Sequence, residues 1–212
     1  MQTILGANGI IARELSLALA GYTAEIRQVS RHPRKVNTGD ETCVADLLDA
    51  RATAGAVAGS QVVYLVAGLP YSASVWQAQW PLVMRNTIDA CKQHGARLVF
   101  FDNVYAYGRV DGVMTEATPF NPVSKKGELR AEVARMLLEE IRGNKLQAMI
   151  VRAADFYGPG ALQSFPHSVV FERLRAGKSP QWIGNPNALH TFSFTPDAGR
   201  AVAVLGQSLA AF

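Results

Sequence analysis

Cysteine is nearly absent: only Cys43 and Cys91 occur among 212 residues, far apart and with no neighbours at metal-ligand spacing. That excludes a disulfide scaffold and a zinc module, and no metal site is expected. Charge is scarce as well. Asp, Glu, Lys and Arg make up 18% of the chain against 49% hydrophobic residues, which excludes a disordered or acidic-tail protein. No apolar run approaches the ~20 residues of a membrane span. The first glycine, Gly6, comes too early for a secretory leader. These absences predict a soluble, cytoplasmic protein that neither enters a membrane nor is exported. Basic residues exceed acidic ones by only four, without a basic stripe, so nucleic acid is not an expected partner. The densest cationic cluster, Arg27, Arg31, Arg34 and Lys35, is local enough to read as a pocket for one anionic group.

What the chain does contain is a regular alternation of short apolar runs and longer helical patterns. Strands are predicted at residues 3–5, 24–29, 41–45, 62–66, 97–101 and 146–151. Helices are predicted at 10–20, 47–58, 74–94 and 124–142, with Pro81 marking a kink or a fresh helix start. Val62-Val63-Tyr64-Leu65-Val66 is apolar at every position, as a strand buried on both faces must be. The fold class expected is therefore α/β, a doubly wound parallel sheet of Rossmann-like type. After Arg152 the rhythm breaks into loops around Gly158-Pro159-Gly160, Pro166, Pro180 and Pro186. Thr195-Pro196 then supplies an N-cap and a first-turn proline for a last helix running to about Leu209. The expected organisation is a dinucleotide-binding domain over 1–152. Residues 153–212 would form a partial, loop-rich substrate lobe plus a returning helix.

Gly6-Ala7-Asn8-Gly9-Ile10-Ile11-Ala12 follows the first strand and opens the first helix. Glycine permits a tight turn there, and the missing side chain lets a pyrophosphate approach the helix N-terminus, where free N–H groups and the helix dipole stabilise it. The spacing is G-x-x-G-x-x-A, not the general G-x-G-x-x-G. Gly6, Asn8, Gly9, Ile10 and Ile11 are the candidate cofactor residues of this turn. An NAD site commonly has an acid at the end of the second strand to hold the adenosine ribose. Here that position reads Val29-Ser30-Arg31-His32-Pro33-Arg34-Lys35, with no acid. Ser30, Arg31 and Arg34 suit a 2′-phosphate, so NADP is favoured over NAD. Asp46, before Leu47, either offers its carboxylate to the adenine amino group or N-caps the following helix, and the two roles are compatible. Ala67-Gly68 ends the fourth strand, where small residues let backbone run beneath a cofactor.

Taken in order, Gly6-x-x-Gly9-x-x-Ala12, Asp46-Leu47, Ala67-Gly68, Tyr107-Gly108 and Arg152 with Tyr157-Gly158-Pro159-Gly160 resemble one superfamily. It is the extended and atypical short-chain dehydrogenases/reductases, in their NAD(P)-dependent epimerase/dehydratase branch. The stretch from His190 to Asp197 resembles the segment that leads this family into a helix beside the substrate cleft. The resemblance implies an oxidoreductase or epimerase acting on a small hydroxylated or sugar-like substrate. It also implies a substrate lobe extending beyond these residues, and a possible homodimer through the helices at 74–94 and 124–142.

The family's catalytic pair, Tyr-x-x-x-Lys, is missing. None of the six tyrosines has a lysine four residues on. Counting back from Glu132, the tyrosine slot falls on Ser124 and the lysine slot on Glu128. The Ser-Ser expected after the fifth strand is replaced by Asp102-Asn103. Candidate substitutes are Asp102 as a base if desolvated, Asn103 as a hydrogen-bonding group, Tyr107 as acid/base, and Lys126 as the lysine placed to support a tyrosinate. Loss of the pair also opens a second class of function, a dinucleotide-binding sensor without turnover.

Overall fold

Strands that are apolar at every position need cover on both faces, and the chain supplies it. The computed structural model describes all 212 residues. Six strands, β1 (Gln2–Leu5), β2 (Ile26–Ser30), β3 (Glu41–Val44), β4 (Val62–Leu65), β5 (Arg97–Asp102) and β6 (Ala148–Arg152), form one wholly parallel sheet in the order β3-β2-β1-β4-β5-β6. Helices α2 (Ala50–Val57), α3 (Ala73–His94) and α4 (Lys125–Arg142) cover one face, sharing a core with Leu5, Val63, Leu65, Leu98 and Phe100. On the other face Ile4, Val62, Tyr64 and Val99 pack against α1 (Ile10–Leu19) and α6 (Thr195–Gln207). The α/β doubly wound expectation holds. Strand order reverses between β1 and β4, and such sheets bind ligands at the carboxyl ends beside that reversal.

The returning helix is part of this architecture. Helix α6 lies directly on α1, and a Cβ on Gly199 would stand 2.5 Å from the Glu14 carbonyl carbon, so only glycine permits the approach. Distal to β6, the chain forms a second, two-stranded parallel sheet from β7 (Asp155–Tyr157) and β8 (Phe192–Phe194), with the short helix α5 (Glu172–Arg175) between them. No helix is long and apolar enough to cross a membrane.

Three local expectations are corrected. Helix α2 starts three residues later than predicted because its cap is Asp49, whose Oδ1 accepts from the Ala52 amide at 2.9 Å. Asp46 instead forms a turn of its own, accepting from the Leu48 amide at 3.0 Å. Pro81 neither ends nor restarts α3, which runs unbroken from Ala73 to His94 with Trp76, Trp80, Met84, Ile88 and Cys91 on its buried stripe. Burial of that stripe outweighs the one backbone bond that proline removes. Finally, Thr195 caps nothing: its hydroxyl is buried without a partner.

Candidate active site

The first turn separates two uses of glycine. Gly6 has φ +102°, and a Cβ there would lie 2.3 Å from the Ala67 Cα, so the chain itself requires glycine at that point. Gly9 is different. It adopts an ordinary extended conformation as the N-cap of α1, and a Cβ there would meet only the Gly6 carbonyl at 3.5 Å. Nothing inside the protein explains glycine at 9. No side chain caps α1 and no acid sits in its first turn, so the amides at its N-terminus have no side-chain partner. An open glycine over uncapped, dipole-oriented N–H groups is the chemistry that receives a pyrophosphate. Ile10 and Ile11 carry the first two amides of this helix. The Gly158-Pro159-Gly160 loop packs alongside, a Cβ on Gly160 falling 3.1 Å from the Ile10 side chain.

Asn8 links this turn to the basic loop after β2. It takes φ +76°, donates from Nδ2 to the His32 carbonyl at 2.7 Å, and accepts at Oδ1 from the Arg34 amide at 3.1 Å. Its side chain is therefore turned to the loop, where it acts as a staple. Ser30 holds the same turn by accepting from the His32 amide at 3.2 Å. The far end of the loop is held by Asp40, a buried carboxylate that sequence reading missed. One of its oxygens accepts from the Val36 and Asn37 amides, each at 3.0 Å, and from the Gln28 side chain at 2.9 Å. Burial alone would raise the Asp40 pKa, but these donors together hold it below the usual carboxylate range. Pinned at both ends, the loop presents Arg31 and Arg34 to solvent, and neither makes an ion pair.

Across the reversal, Ala67 lies against Gly6, while Gly68 has open space around it. Beyond them the predicted catalytic residues separate. Asp102 is not a base facing the cleft. It is 2% exposed and ion-paired to Arg130, whose Nε lies at 2.7 Å, and to Arg152 at 3.3 Å. Tyr107 also turns inward, 5% exposed, its ring edge-on to Phe120 and its hydroxyl accepting from Arg152 at 3.0 Å. Both belong to a buried lock joining β5, α4 and β6. Asn103 accepts from the Tyr105 amide at 3.0 Å and shapes the turn that follows β5.

The tyrosine that does face the cleft is Tyr105. A single 3-10 turn at Tyr105–Tyr107 sends the two rings in different directions. Tyr105 stacks on Trp76, and its hydroxyl lies 3.3 Å from that of Tyr71. Burial first, then Tyr71 and Asp155, push its pKa above the ordinary phenol range, so at neutral pH it is a proton-bearing donor. The Tyr-x-x-x-Lys slots hold other jobs. Ser124 caps α4 through the Gly127 amide at 3.1 Å, and Glu128 is exposed to solvent. Lys126 does reach the cleft, with its ammonium 2.9 Å from the Tyr71 ring centroid.

Tyr71, Tyr105, Ser124, Lys125, Lys126 and Asp155 line an open cleft of about 540 Å³, with Phe165 at its edge. Asp155 and Phe165 also border a second compartment of about 360 Å³. Asp155 meets His190 across it, at 2.9 Å between Oδ2 and Nε2. Sequence reading assigned no role to Asp155 or Tyr105. The only signal for Asp155 was its place three residues beyond Arg152, ahead of the Tyr157-Gly-Pro-Gly stretch.

Residues 3–211 match the profile of the NAD dependent epimerase/dehydratase family. Two solved structures superimpose closely on this fold. One is a double mutant of the dTDP-glucose 4,6-dehydratase of Streptomyces venezuelae with NAD bound, at TM-score 0.83 and 20% identity, over 97% of this chain and 71% of that one. The other is the UDP-glucuronic acid 4-epimerase of Bacillus cereus in complex with UDP-glucuronic acid and NAD, at TM-score 0.84 and 17% identity, over 99% of this chain and 74% of that one. At those identities they speak for the fold. Among curated proteins, 3beta-hydroxysteroid-dehydrogenase/decarboxylase isoform 2 of Arabidopsis thaliana is 28% identical over 177 residues. That match covers 78% of this chain, and the chain spans only 31% of the plant protein.

Proposed function

The chain belongs to the NAD dependent epimerase/dehydratase family, and from that membership we propose that it is an NADP-dependent oxidoreductase or epimerase-type enzyme acting on a small hydroxylated or sugar-like substrate without a Tyr-x-x-x-Lys pair. The observation that carries this reading is Gly9, glycine where the protein needs none, over the uncapped start of α1. NAD in the dehydratase and epimerase structures supports a nicotinamide dinucleotide at the same place. Preference for NADP rests on Arg31 and Arg34, unpaired cations on a loop that Asn8 and Asp40 hold beside the glycine turn.

The amides of Gly9, Ile10 and Ile11 would hold the pyrophosphate, and Arg31 the 2′-phosphate. Ala67 and Gly68 would let the dinucleotide cross the sheet, and Asp46 has one carboxylate oxygen left for the adenine amino group. When bound, the nicotinamide supplies a hydride acceptor or donor. The chain supplies the rest. Tyr105 bears its proton at neutral pH; it would hydrogen-bond a substrate carbonyl oxygen and pass that proton to it as the carbon gains hydride, to be reprotonated from solvent through the open cleft. Lys126 stands over the Tyr71 ring at the cleft. Asp102, Arg130, Arg152 and Tyr107 act one layer deeper, fixing the end of β5 from which the Tyr105 turn springs.

Calorimetric titration with NADPH and NADH is the test of the cofactor, followed by turnover against aldehydes, ketones and sugar nucleotides. Tyr105→Phe is expected to lower turnover by roughly 10²-fold or more with cofactor affinity intact, the usual worth of a positioned proton donor. Full activity in that variant would remove Tyr105 from the reaction. A second reading, a dinucleotide sensor without turnover, draws on one observation: Ser124 and Glu128 are a helix cap and a solvent-facing acid where the family has its pair. Tight NADPH binding with no consumption on any substrate would favour the sensor.

A further inference from the structure

The second compartment has an apolar wall of Phe165, Trp182, Ile183 and Ala188, and a polar side made by Asp155, His190 and the uncharged amide of Asn185. Phe165 meets Trp182 edge-on at 5.0 Å between centroids, and Trp182 meets Phe192 at 5.9 Å. His190 stacks on Phe192 at 4.6 Å, and Ile183 and Ala188 complete the apolar surface. No arginine or lysine lines it, and the one ionised group at its mouth is the Asp155 carboxylate. In the neighbouring cleft the cations are Lys125 and Lys126, and the Lys126 ammonium is already engaged with the Tyr71 ring. Arg173, close by in sequence, is tied to the Ser179 carbonyl at 2.7 Å.

We propose that this compartment binds an uncharged, hydrophobic ring alcohol or ketone, held at its oxygen by the Asp155–His190 pair and by Tyr105, and that it rejects nucleotide-diphosphate sugars. The proposal deepens the enzyme reading above and rests on it. A diphosphate brings two negative charges to a site whose mouth is a carboxylate and whose walls hold no guanidinium to receive them. A neutral ring loses little by leaving water and gains apolar and aromatic contact along the Phe165–Trp182 wall. The polar pair gives orientation. With Nε2–H donated to Asp155, the Nδ1 of His190 is an acceptor, as is the remaining carboxylate oxygen, so both suit a substrate hydroxyl. A carbonyl is served instead by the proton on Tyr105. This polarity differs from what the UDP-glucuronic acid in the Bacillus cereus structure would require.

Fluorescence of Trp182, which stands in this wall, is the test, and Trp182→Leu separates its signal from that of Trp76, which stacks on Tyr105. The protein is first saturated with NADP, with calorimetry on the same sample confirming that the dinucleotide binds. Failure at that step would overturn the cofactor reading, and with it this one. With NADP bound, 2-decalone, 2-decalol and UDP-glucose are titrated separately. The expected result is saturable quenching by the decalin pair at roughly tenfold or more lower concentration than any response to UDP-glucose. Trp182→Leu should abolish the signal, and Asp155→Ala should weaken 2-decalol more than 2-decalone. Ala188→Arg, at an exposed position on the wall, should admit UDP-glucose and disfavour the decalins. Equal or tighter binding of UDP-glucose by the unmodified protein, or no saturable decalin response in a sample that binds NADP, would overturn the proposal.

Discussion

Two halves of one cleft follow different rules. Over β1 and β2 the protein keeps space and free donors: an unneeded glycine at 9, uncapped amides at α1, and two unpaired arginines on a loop stapled at Asn8 and Asp40. Over β5 and β6 it does the reverse, consuming charge internally. Asp102, Arg130, Arg152 and Tyr107 satisfy one another beneath the surface, leaving Tyr105, Asp155 and His190 to face outward. The contrast teaches that the groups left free for a ligand and the groups that hold the fold are kept apart here. The first half leaves its donors and cations unpaired, whereas in the second Asp102, Arg130, Arg152 and Tyr107 are spent on a structural lock. Substitutions should therefore divide sharply between those that move the fold and those that move the ligand.

The largest effect is expected in the lock. Asp102→Ala leaves the buried Arg130 guanidinium without its carboxylate, and breaking one side of a buried ion pair typically costs about 3–5 kcal/mol. Urea denaturation should show that loss, while Asp102→Asn, which keeps one acceptor oxygen for Arg130 and loses the charge, should show less. Unchanged stability in both variants would mean the pair is not the strut described above.

Next comes the contrast between two glycines three residues apart. Gly9→Val should leave the thermal midpoint within a few degrees of the parent and weaken NADPH at least a hundredfold, about 2.7 kcal/mol, because the new side chain occupies ligand space only. Gly6→Val should behave oppositely and fail at the level of folding, since it forces a branched residue to φ +102° against the Ala67 backbone. If Gly9→Val binds NADPH normally, the dinucleotide lies elsewhere.

A smaller change tests the basic loop. Arg31→Ala should reduce the preference for NADPH over NADH by about tenfold, or 1.4 kcal/mol, the worth of one charge-assisted contact on an exposed loop. Calorimetry with both cofactors measures it, and an unaltered ratio would assign the discrimination to Arg34 or remove it altogether.

How much of this was legible in the chain depends on distance along it. Strand β4 and the centre of β5 could be read because they are short, unalternating apolar runs, and the stripe of α3 because Trp76, Trp80, Met84, Ile88 and Cys91 recur at helical spacing. The glycine turn and the acid-free end of β2 were legible for the same reason: their logic is local. The choice between Asp46 and Asp49 as cap was not, because both are good caps three residues apart and the backbone decides. Tyr105 and Tyr107 flank one alanine, and only the handedness of a 3-10 turn determines which ring reaches the cleft. Asp102 looked like a free carboxylate because its partners lie 28 and 50 residues away. Asp155 and His190, 35 residues apart, are joined only by the pairing of β7 with β8.

The smallest effect concerns Asp40 and the pH at which the basic loop lets go. Its carboxyl is held below the usual range in the folded protein by the amides of Val36 and Asn37 and the side chains of Gln28 and Asn37. A group whose folded pKa is depressed binds fewer protons in the folded than in the unfolded chain. Its stabilising contribution is thus complete above the unfolded carboxylate value and disappears as pH falls through the lower folded one. The loop should accordingly stay pinned at neutral pH and loosen only in strong acid. Asp40→Asn removes the titrating group, and an amide oxygen in the Oδ2 position can keep four of the five hydrogen bonds, losing the one from the Asn37 side chain. The variant should be less stable than the parent at pH 7, and the difference should shrink as both are titrated into the acid range below ~3.9. Urea midpoints across that window measure it. Because the same loop carries Arg31 and Arg34, the Asp40→Asn variant at pH 7 should also lose part of its preference for NADPH while retaining NADH affinity. A variant that loses stability but keeps the full cofactor preference would uncouple the pinning of the loop from recognition of the 2′-phosphate.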